Sequence, residues 1–209
     1  MAFTFFFRDR QTLDYIADEV LPTLRGYQHV RIWDAGCAHG PEAYSMAMLL
    51  RENATHFGFR NIHIDATDID TTGEFARTVT DGIYHERELK RIPSEFKEKY
   101  FQPAPTPGCL QVCDEIRRSV SFARHDLLTL RAPRIGFRLI VCKNVLLHFP
   151  PARRVEVIQM FHEALADGGF LVTEHTQALP DQLAPSFERA TGRGQIFRKR
   201  PTAAKRAAA

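Results

Sequence analysis

The stretch Val30 to Ser45, VRIWDAGCAHGPEAYS, constrains the fold more than any other part of the chain. Val30, Ile32 and Trp33 are apolar or β-prone and run into Asp34-Ala35-Gly36. Gly40 and Pro41 then open a helix-forming run, Glu42 to Arg51. The order is strand, glycine-bearing turn, helix. Gly36 allows a tight turn and a close approach of the backbone to a ligand, because no Cβ stands in the way. Pro41 suits the first helical position, where a missing N–H costs nothing. The N–H groups of the helix start then face whatever sits above the strand end, which is where open α/β sheets bind cofactors. The glycine pattern is D-x-G-x-x-x-G, not G-x-G-x-x-G, and no G-K-[ST] follows. This argues against a bound pyrophosphate or a P-loop. Taken alone, the stretch is equally a tight βα turn that binds nothing.

The downstream chain decides between these readings. Ile62 to Asp68 is strand-like and ends on an acidic residue, as does the second strand of nucleotide-binding sheets, whose carboxylate takes ribose hydroxyls. Asp70 is placed to cap a helix to about Val79, and Asp81-Gly82 ends it. Val120 to Ala123 and Phe137 to Cys142 read as further strands, the second apolar enough to be buried on both faces. Pro151 to Leu165 reads as a helix closed by Asp167-Gly168-Gly169, then Phe170 to Thr173 as a strand. Phe187 to Ala190 and Gln195 to Arg198 read as a final hairpin. The alternation predicts a parallel α/β sheet in three layers. Ile83 to Arg118, with prolines at 103, 105 and 107, is too long for an ordinary connection. It is read as an inserted subdomain, helical around Pro93 to Tyr100 and extended around Leu110 to Ile116. Cys109 and Cys113 lie in it as incidental thiols, since a metal site needs more ligands than two. No metal is expected.

At the N-terminus, Phe3, Phe5, Phe6 and Phe7 surround Thr4 and end at Arg8. Either the rings pack the segment down, or Thr4 and Arg8 face a ligand from a lid. A helix follows from about Arg10 to Leu24, capped by Asp9 or Thr12. Its apolar stripe is Leu13, Ile16, Ala17, Val20, Leu21 and Leu24, and Pro22 disturbs its last turn.

Composition excludes several classes. A length of 209 residues fits one domain with an insertion. A net charge of +3 makes no global case for nucleic acid, although basic residues crowd Arg193 to Arg206. No apolar run is long enough to span a bilayer, and Met1 to Phe7 lacks the features of a secretory signal. Four cysteines without framework spacing point to a reducing, cytoplasmic setting. Residues 201–209 are read as a disordered basic tail.

Eight short stretches, in order, carry a family pattern. Thr4 to Arg8 resembles T-x-F-F-R. Arg31 to Cys37 resembles R-I-W-S-A-G-C, and Gly40 to Ser45 resembles G-E-E-P-Y-S. Ala66 to Asp70 matches A-T-D-I-[SD], and Gly82-Ile83-Tyr84 matches G-x-Y. Asp126-Leu127-Leu128 stands for N-L-L, Cys142 to Leu146 for C-R-N-V-L, and Gly168 to Leu171 for G-G-[YF]-L. On these the chain resembles the catalytic domain of the CheR-type chemotaxis receptor methyltransferases, from Thr4 to about Thr176. It departs in three places. Ala38-His39 replaces S-T in G-C-S-T-G. Leu147-His148-Phe149 stands where the family has I-Y-F, with a tyrosine beside the transferred methyl. Thr173 to Gln177 replaces G-H-S-E. The family's small helical domain before T-x-F-F-R is expected to be missing.

The resemblance implies a Rossmann-like class I methyltransferase sheet with helices on both faces and a small inserted α/β subdomain at 83–118, within a catalytic domain of 1–200. It implies S-adenosylmethionine as cofactor and S-adenosylhomocysteine as product. It also implies methyl transfer to a glutamate side chain of a protein, a chemoreceptor-like partner docking on the insertion. No nucleic acid and no membrane insertion are implied. The implied cofactor residues are Thr4, Arg8, Gly36, Glu42, Asp68, Asp126, Leu127, Lys143 and Asn144. Asp68 would take the ribose, Asp126 and Leu127 would flank the adenine, and Asn144 would sit near the reacting centre. The implied catalytic residues are Arg8, which would orient the acceptor, and His148, which would donate one hydrogen bond. Two readings of His148 stand beside each other: donor at the methyl, or buried packing residue. Two other functions remain open, a degenerate cofactor-binding sensor or scaffold and a methyltransferase with a different acceptor.

Overall fold

Short apolar strands buried on both faces need helices above and below, and the chain supplies them in alternation. The structure, a computed structural model, describes residues 4–174, 178–192 and 194–201. In chain order its strands are β1 (Val30–Ala35), β2 (Ile62–Asp68), β3 (Ile83–His85), β4 (Phe101–Pro103), β5 (Cys109–Val112), β6 (Val120–Arg124), β7 (Phe137–Cys142), β8 (Leu165–Thr173), β9 (Phe187–Arg189) and β10 (Ile196–Lys199). Its helices are α1 (Arg10–Tyr15), α2 (Leu21–Leu24), α3 (Pro41–Asn53), α4 (His56–Arg60), α5 (Glu74–Asp81), α6 (Ser94–Tyr100), α7 (Asp114–Arg117) and α8 (Pro151–Ala164), with a π-helical stretch at Ile16–Val20.

Seven strands form one sheet in the order β6-β2-β1-β7-β8-β10-β9. The five from β6 to β8 are parallel. β10 and β9 close the edge antiparallel, as a hairpin does, so the sheet is mixed rather than parallel throughout. Side chains of β1 alternate between two cores. Val30 and Ile32 join the cluster containing α1 and α3, while Trp33 and Ala35 join the one containing α8. The Trp33 indole N–H, buried on that second face, donates to Thr67 Oγ1 at 2.8 Å.

Several elements depart from the sequence reading. The expected Arg10–Leu24 helix keeps its buried stripe but slips into the π-helical stretch just before Pro22, whose missing N–H breaks the i→i−4 ladder. Asp9 occupies the N-cap position, yet its carboxylate accepts from the Thr12 hydroxyl at 2.9 Å and caps no backbone N–H. Asp70 reaches α5 from a distance, accepting from Phe75 and Ala76 N–H groups. Asp167-Gly168-Gly169 lies inside β8, in an irregular start facing Phe137, instead of ending the helix. Residues 83–118 build a second, antiparallel sheet, β3-β5-β4, flanked by α6 and α7. The sequence reading had no strand at β3 or β4, each only three residues long. Among the described residues no helix is long and apolar enough to cross a membrane. Phe3, the expected tail beyond Pro201, Arg193 and the His175–Gln177 part of the late motif lie outside the described residues.

Candidate functional site

The chain runs outward from β1 through β2 to β6, then returns to lay β7 on the other side of β1. Strand ends diverge at such a switch point and leave a crevice. A cavity of about 600 Å³ opens there, above the ends of β1, β2 and β7. It is lined by all ten residues singled out from the sequence: Thr4, Arg8, Gly36, Glu42, Asp68, Asp126, Leu127, Lys143, Asn144 and His148.

The turn after β1 is fastened to the end of β2. Gly36 and Cys37 N–H groups donate to the Thr67 carbonyl at 2.8 and 3.0 Å. The Ala38 N–H donates to Asp68 Oδ2 at 2.9 Å, and the Ile69 N–H to Asp68 Oδ1 at 2.7 Å. These four donors serve the end of β2. Asp68 keeps a free lone pair on each oxygen, facing the cavity. Gly36 has φ +99°, and a Cβ there would stand 2.2 Å from Val145 Cγ2. Glycine is required by backbone conformation and by the close passage of the β7 loop.

A buried charge cluster forms the floor. Lys143 is almost fully buried, and its Nζ lies 2.8 Å from Glu42 Oε2 and 3.6 Å from Asp9 Oδ2. Burial alone would lower its ammonium, but the charge and hydrogen bond of Glu42, with the charges of Asp9 and Asp34, together outweigh this and hold it above its ordinary value. Asp34, the last acid of β1, is buried with neither oxygen hydrogen-bonded. Burial and the nearby Glu42 charge push its carboxyl well above the usual range, with Lys143 opposing. Burial likewise raises the Cys37 thiol, with Asp34 adding to it, so Cys37 is no nucleophile at neutral pH.

Asn144 follows Lys143 in a left-handed conformation, φ 60°. Two contacts hold it: its N–H donates to Glu174 Oε2 at 3.0 Å, and its Oδ1 accepts from an Arg8 guanidinium N–H at 2.9 Å. The N-terminal segment carries Arg8 to this point. Phe6 stacks edge-on against Tyr84 and Phe101, Phe7 against Phe96, and the Phe7 N–H donates to Ser45 Oγ at 2.8 Å. The rings of that segment pack it down, and Thr4 and Arg8 line the cavity. His148, in the short turn after β7, is exposed at the cavity rim, so the buried packing reading is overturned. The turn places it there because the Val145 and Leu146 carbonyls accept from His148 and Phe149 N–H groups at 3.0 Å and leave the ring outside.

Sequence reasoning missed Glu174, the buried state of Asp34, and the apolar wall of Ile69, Leu128 and Phe149. Glu174 sits one residue beyond β8, on the same rim as Asp34 and Lys143. The strand-end rule applied to the fifth parallel strand, β8, would have found it.

The donor set suits a ligand with a cationic centre, ribose hydroxyls and an adenine ring. Glu42, Asp68 and Asp126 offer acceptors, while Ile69, Leu127 and Leu128 offer an apolar slot.

Residues 2–194 match the family described as CheR methyltransferase, SAM binding domain. A chemotaxis protein methyltransferase of Listeria monocytogenes is 34% identical over 170 residues, 79% of this chain and 61% of the relative. Chemotaxis protein methyltransferase 2 of Vibrio cholerae is 32% identical over 181 residues, 84% of this chain and 62% of the relative. The chain thus spans about three fifths of the length of these relatives. Among solved structures, an O-methyltransferase family protein from Burkholderia thailandensis superposes with a TM-score of 0.52 over 93% of this chain and 57% of that one. At 12% identity it shows the shared fold alone.

Proposed function

The chain belongs to the CheR methyltransferase family, as its S-adenosylmethionine-binding domain, and from that premise we propose that it methylates a glutamate side-chain carboxylate on a protein of chemoreceptor type. The observation that carries this reading is the division of one cavity. Carboxylates line its floor, and the guanidinium of Arg8 and the exposed ring of His148 stand at its mouth. The floor fits the cationic cofactor and the mouth fits an anionic acceptor.

The bound cofactor supplies an activated methyl on a sulfonium. Asp68 would take the ribose hydroxyls, Asp126 and Leu127 would flank the adenine, and Glu42, paired with Lys143, would help complete the cofactor pocket. A glutamate acceptor ionises near pH 4.3 in its free state, so no general base is needed at neutral pH. What the protein contributes is alignment. Arg8, itself braced on Asn144, steers the carboxylate, and His148 donates a hydrogen bond where the family pattern has a tyrosine. Holding two groups in line can supply several kcal/mol, on the order of 7 or more in well-oriented cases.

The inserted sheet supports a docking role for the protein substrate. β3 and β4 are both edge strands, and Gln102 and Pro103 on β4 are exposed. An extended peptide can add to such an edge.

The test is methyl transfer from labelled S-adenosylmethionine to a chemoreceptor signalling fragment. Label released as methanol by mild base identifies a carboxylate ester. Saturable cofactor binding with no transfer would favour a sensor or scaffold. Base-stable label would mean a different acceptor.

A further inference from the structure

A second cavity, of about 630 Å³, lies at the opposite end of the sheet, where β1 and β2 begin. Its basic lining comes from four separate elements: Arg31 on β1, His63 on β2, Arg60 at the end of α4 and Arg118 just after α7. His29 and His56 add two more rings, and Glu115 is the one carboxylate of the lining.

The ion pairs around it do not neutralise it. Arg51 lies 2.8 Å from Glu115, which His56 also approaches at 3.5 Å. Arg31 and Arg134 share Asp65 at 3.5 and 4.0 Å. Arg117 and Arg118 share Asp114 at 2.6 and 3.2 Å. Arg60 makes no ion pair or hydrogen bond among the described residues. Among the residues that line the cavity, three arginines, Arg31, Arg60 and Arg118, face one carboxylate, Glu115, an excess of two positive charges before any histidine is protonated.

We propose that this cavity binds the phosphate dianion of a small phosphorylated molecule of about nucleotide size. Planar guanidinium forks match phosphate oxygens in pairs, which ammonium groups do not. An excess of two charges in the lining suits a dianion better than a lone carboxylate. The volume falls within the roughly 300–1,000 Å³ of small-molecule sites. A nucleic acid would call for a basic stripe along the surface, whereas these arginines converge on a hollow. The site is distinct from the cofactor cavity. β1 has six residues, which separates its two ends by about 20 Å at a rise of roughly 3.3 Å per residue. Both cavities can be filled at once.

The experiment uses the full chain saturated with S-adenosylhomocysteine, so that the first cavity is closed to adenine compounds. Ribose 5-phosphate, AMP and adenosine are titrated calorimetrically at low ionic strength. The expected result is saturable binding of both phosphate esters and none of adenosine. Binding should weaken at least tenfold in Arg60→Ala/Arg118→Ala, whose two side chains are exposed. Arg60→Glu alone should give a similar loss if the double variant is poorly folded. The proposal is overturned by any of three results: neither ester saturating, equal binding by the variants, or binding only of an oligonucleotide or phosphopeptide.

Discussion

Glu174 gives the sharpest test of how the site is held together. Its Oε2 accepts the backbone N–H of Asn144 at 3.0 Å, while Oε1 is buried without a hydrogen-bond partner. Asn144 has φ 60°, a conformation that costs a non-glycine residue about 1 kcal/mol or more. In Glu174→Ala the N–H loses a charge-assisted bond, worth roughly 1.5–3 kcal/mol. The left-handed turn then loses one of its two restraints, and the Arg8 contact at 2.9 Å is left to hold it alone. For a chain of this size, each kcal/mol shifts the melting midpoint by roughly 2–4 °C, so a fall of about 3–12 °C is expected. If Asn144 and Arg8 align the acceptor, kcat/KM should fall by about 10- to 150-fold, one decade per 1.4 kcal/mol. Cofactor affinity should change much less, because Asp68 and Asp126 are untouched. Glu174→Gln keeps an acceptor oxygen without the charge, and should recover most of the midpoint and part of the turnover. Melting by scanning calorimetry and turnover under saturating cofactor provide both readouts. A Glu174→Ala protein that matches the wild type in midpoint and in kcat/KM would refute the positioning role.

Other outcomes follow from the same geometry. Asp68→Asn should weaken S-adenosylhomocysteine by roughly 1.5–3 kcal/mol in calorimetric titration, and Asp68→Ala should also loosen the turn by freeing Ala38 and Ile69 N–H groups; undiminished affinity in both would place the ribose elsewhere. Gly36→Ala forces a Cβ within 2.2 Å of Val145 Cγ2 at φ +99°, and strain plus overpacking should cost about 2–4 kcal/mol, read by denaturant titration. His148→Tyr should keep or raise turnover, and His148→Phe should lower it with cofactor affinity nearly intact; identical rates would remove His148 from the mechanism. For Asp70, burial tends to raise its carboxyl, but the Ala76 and Phe75 N–H groups outweigh this and hold it below the usual range. Its stabilisation is therefore present above the unfolded pKa and lost as pH falls through the lower folded one. Asp70→Ala should cost about 1 kcal/mol at neutral pH, and the melting curves of the two proteins should converge well below about pH 4.

The parallel core was legible in the sequence because its signals are local. Apolar runs such as Phe137–Cys142, the breaks at Gly36 and Gly82, and the strand-end acid Asp68 each announce themselves within a few residues. The final hairpin, β9 and β10, was legible too, but its antiparallel docking on β8 and the π-helical stretch were not. A hairpin's direction is set by where it docks, and a π-helical stretch by where a proline falls against the packing of both neighbouring turns. β3 and β4 are three residues each, and such strands exist only through pairing with β5. Ten residues picked from motifs converge on one cavity because most sit at a strand end or helix start on the same rim of the sheet, and the packed N-terminal segment brings Thr4 and Arg8 to it.

The charge arrangement beneath that rim required three dimensions. The family pattern implies Lys143 as a cofactor residue, but only the fold shows it buried between acids contributed by α3 and by the turn before α1. A buried ammonium is costly unless its partners are fixed, since removing one partner of such a pair leaves an uncompensated charge. Glu42 is fixed by the helix that Pro41 starts, and Asp9 by its bond to Thr12. Asp34 lies in the same low-dielectric floor with no bond to either oxygen, and the charge of Glu42 raises it further. The floor thus holds one fixed cation among several acids, a balance that would suit the positive centre of the cofactor under the proposed function. That balance depends on side chains from four elements distant in sequence, and no window of the chain contains more than two of them.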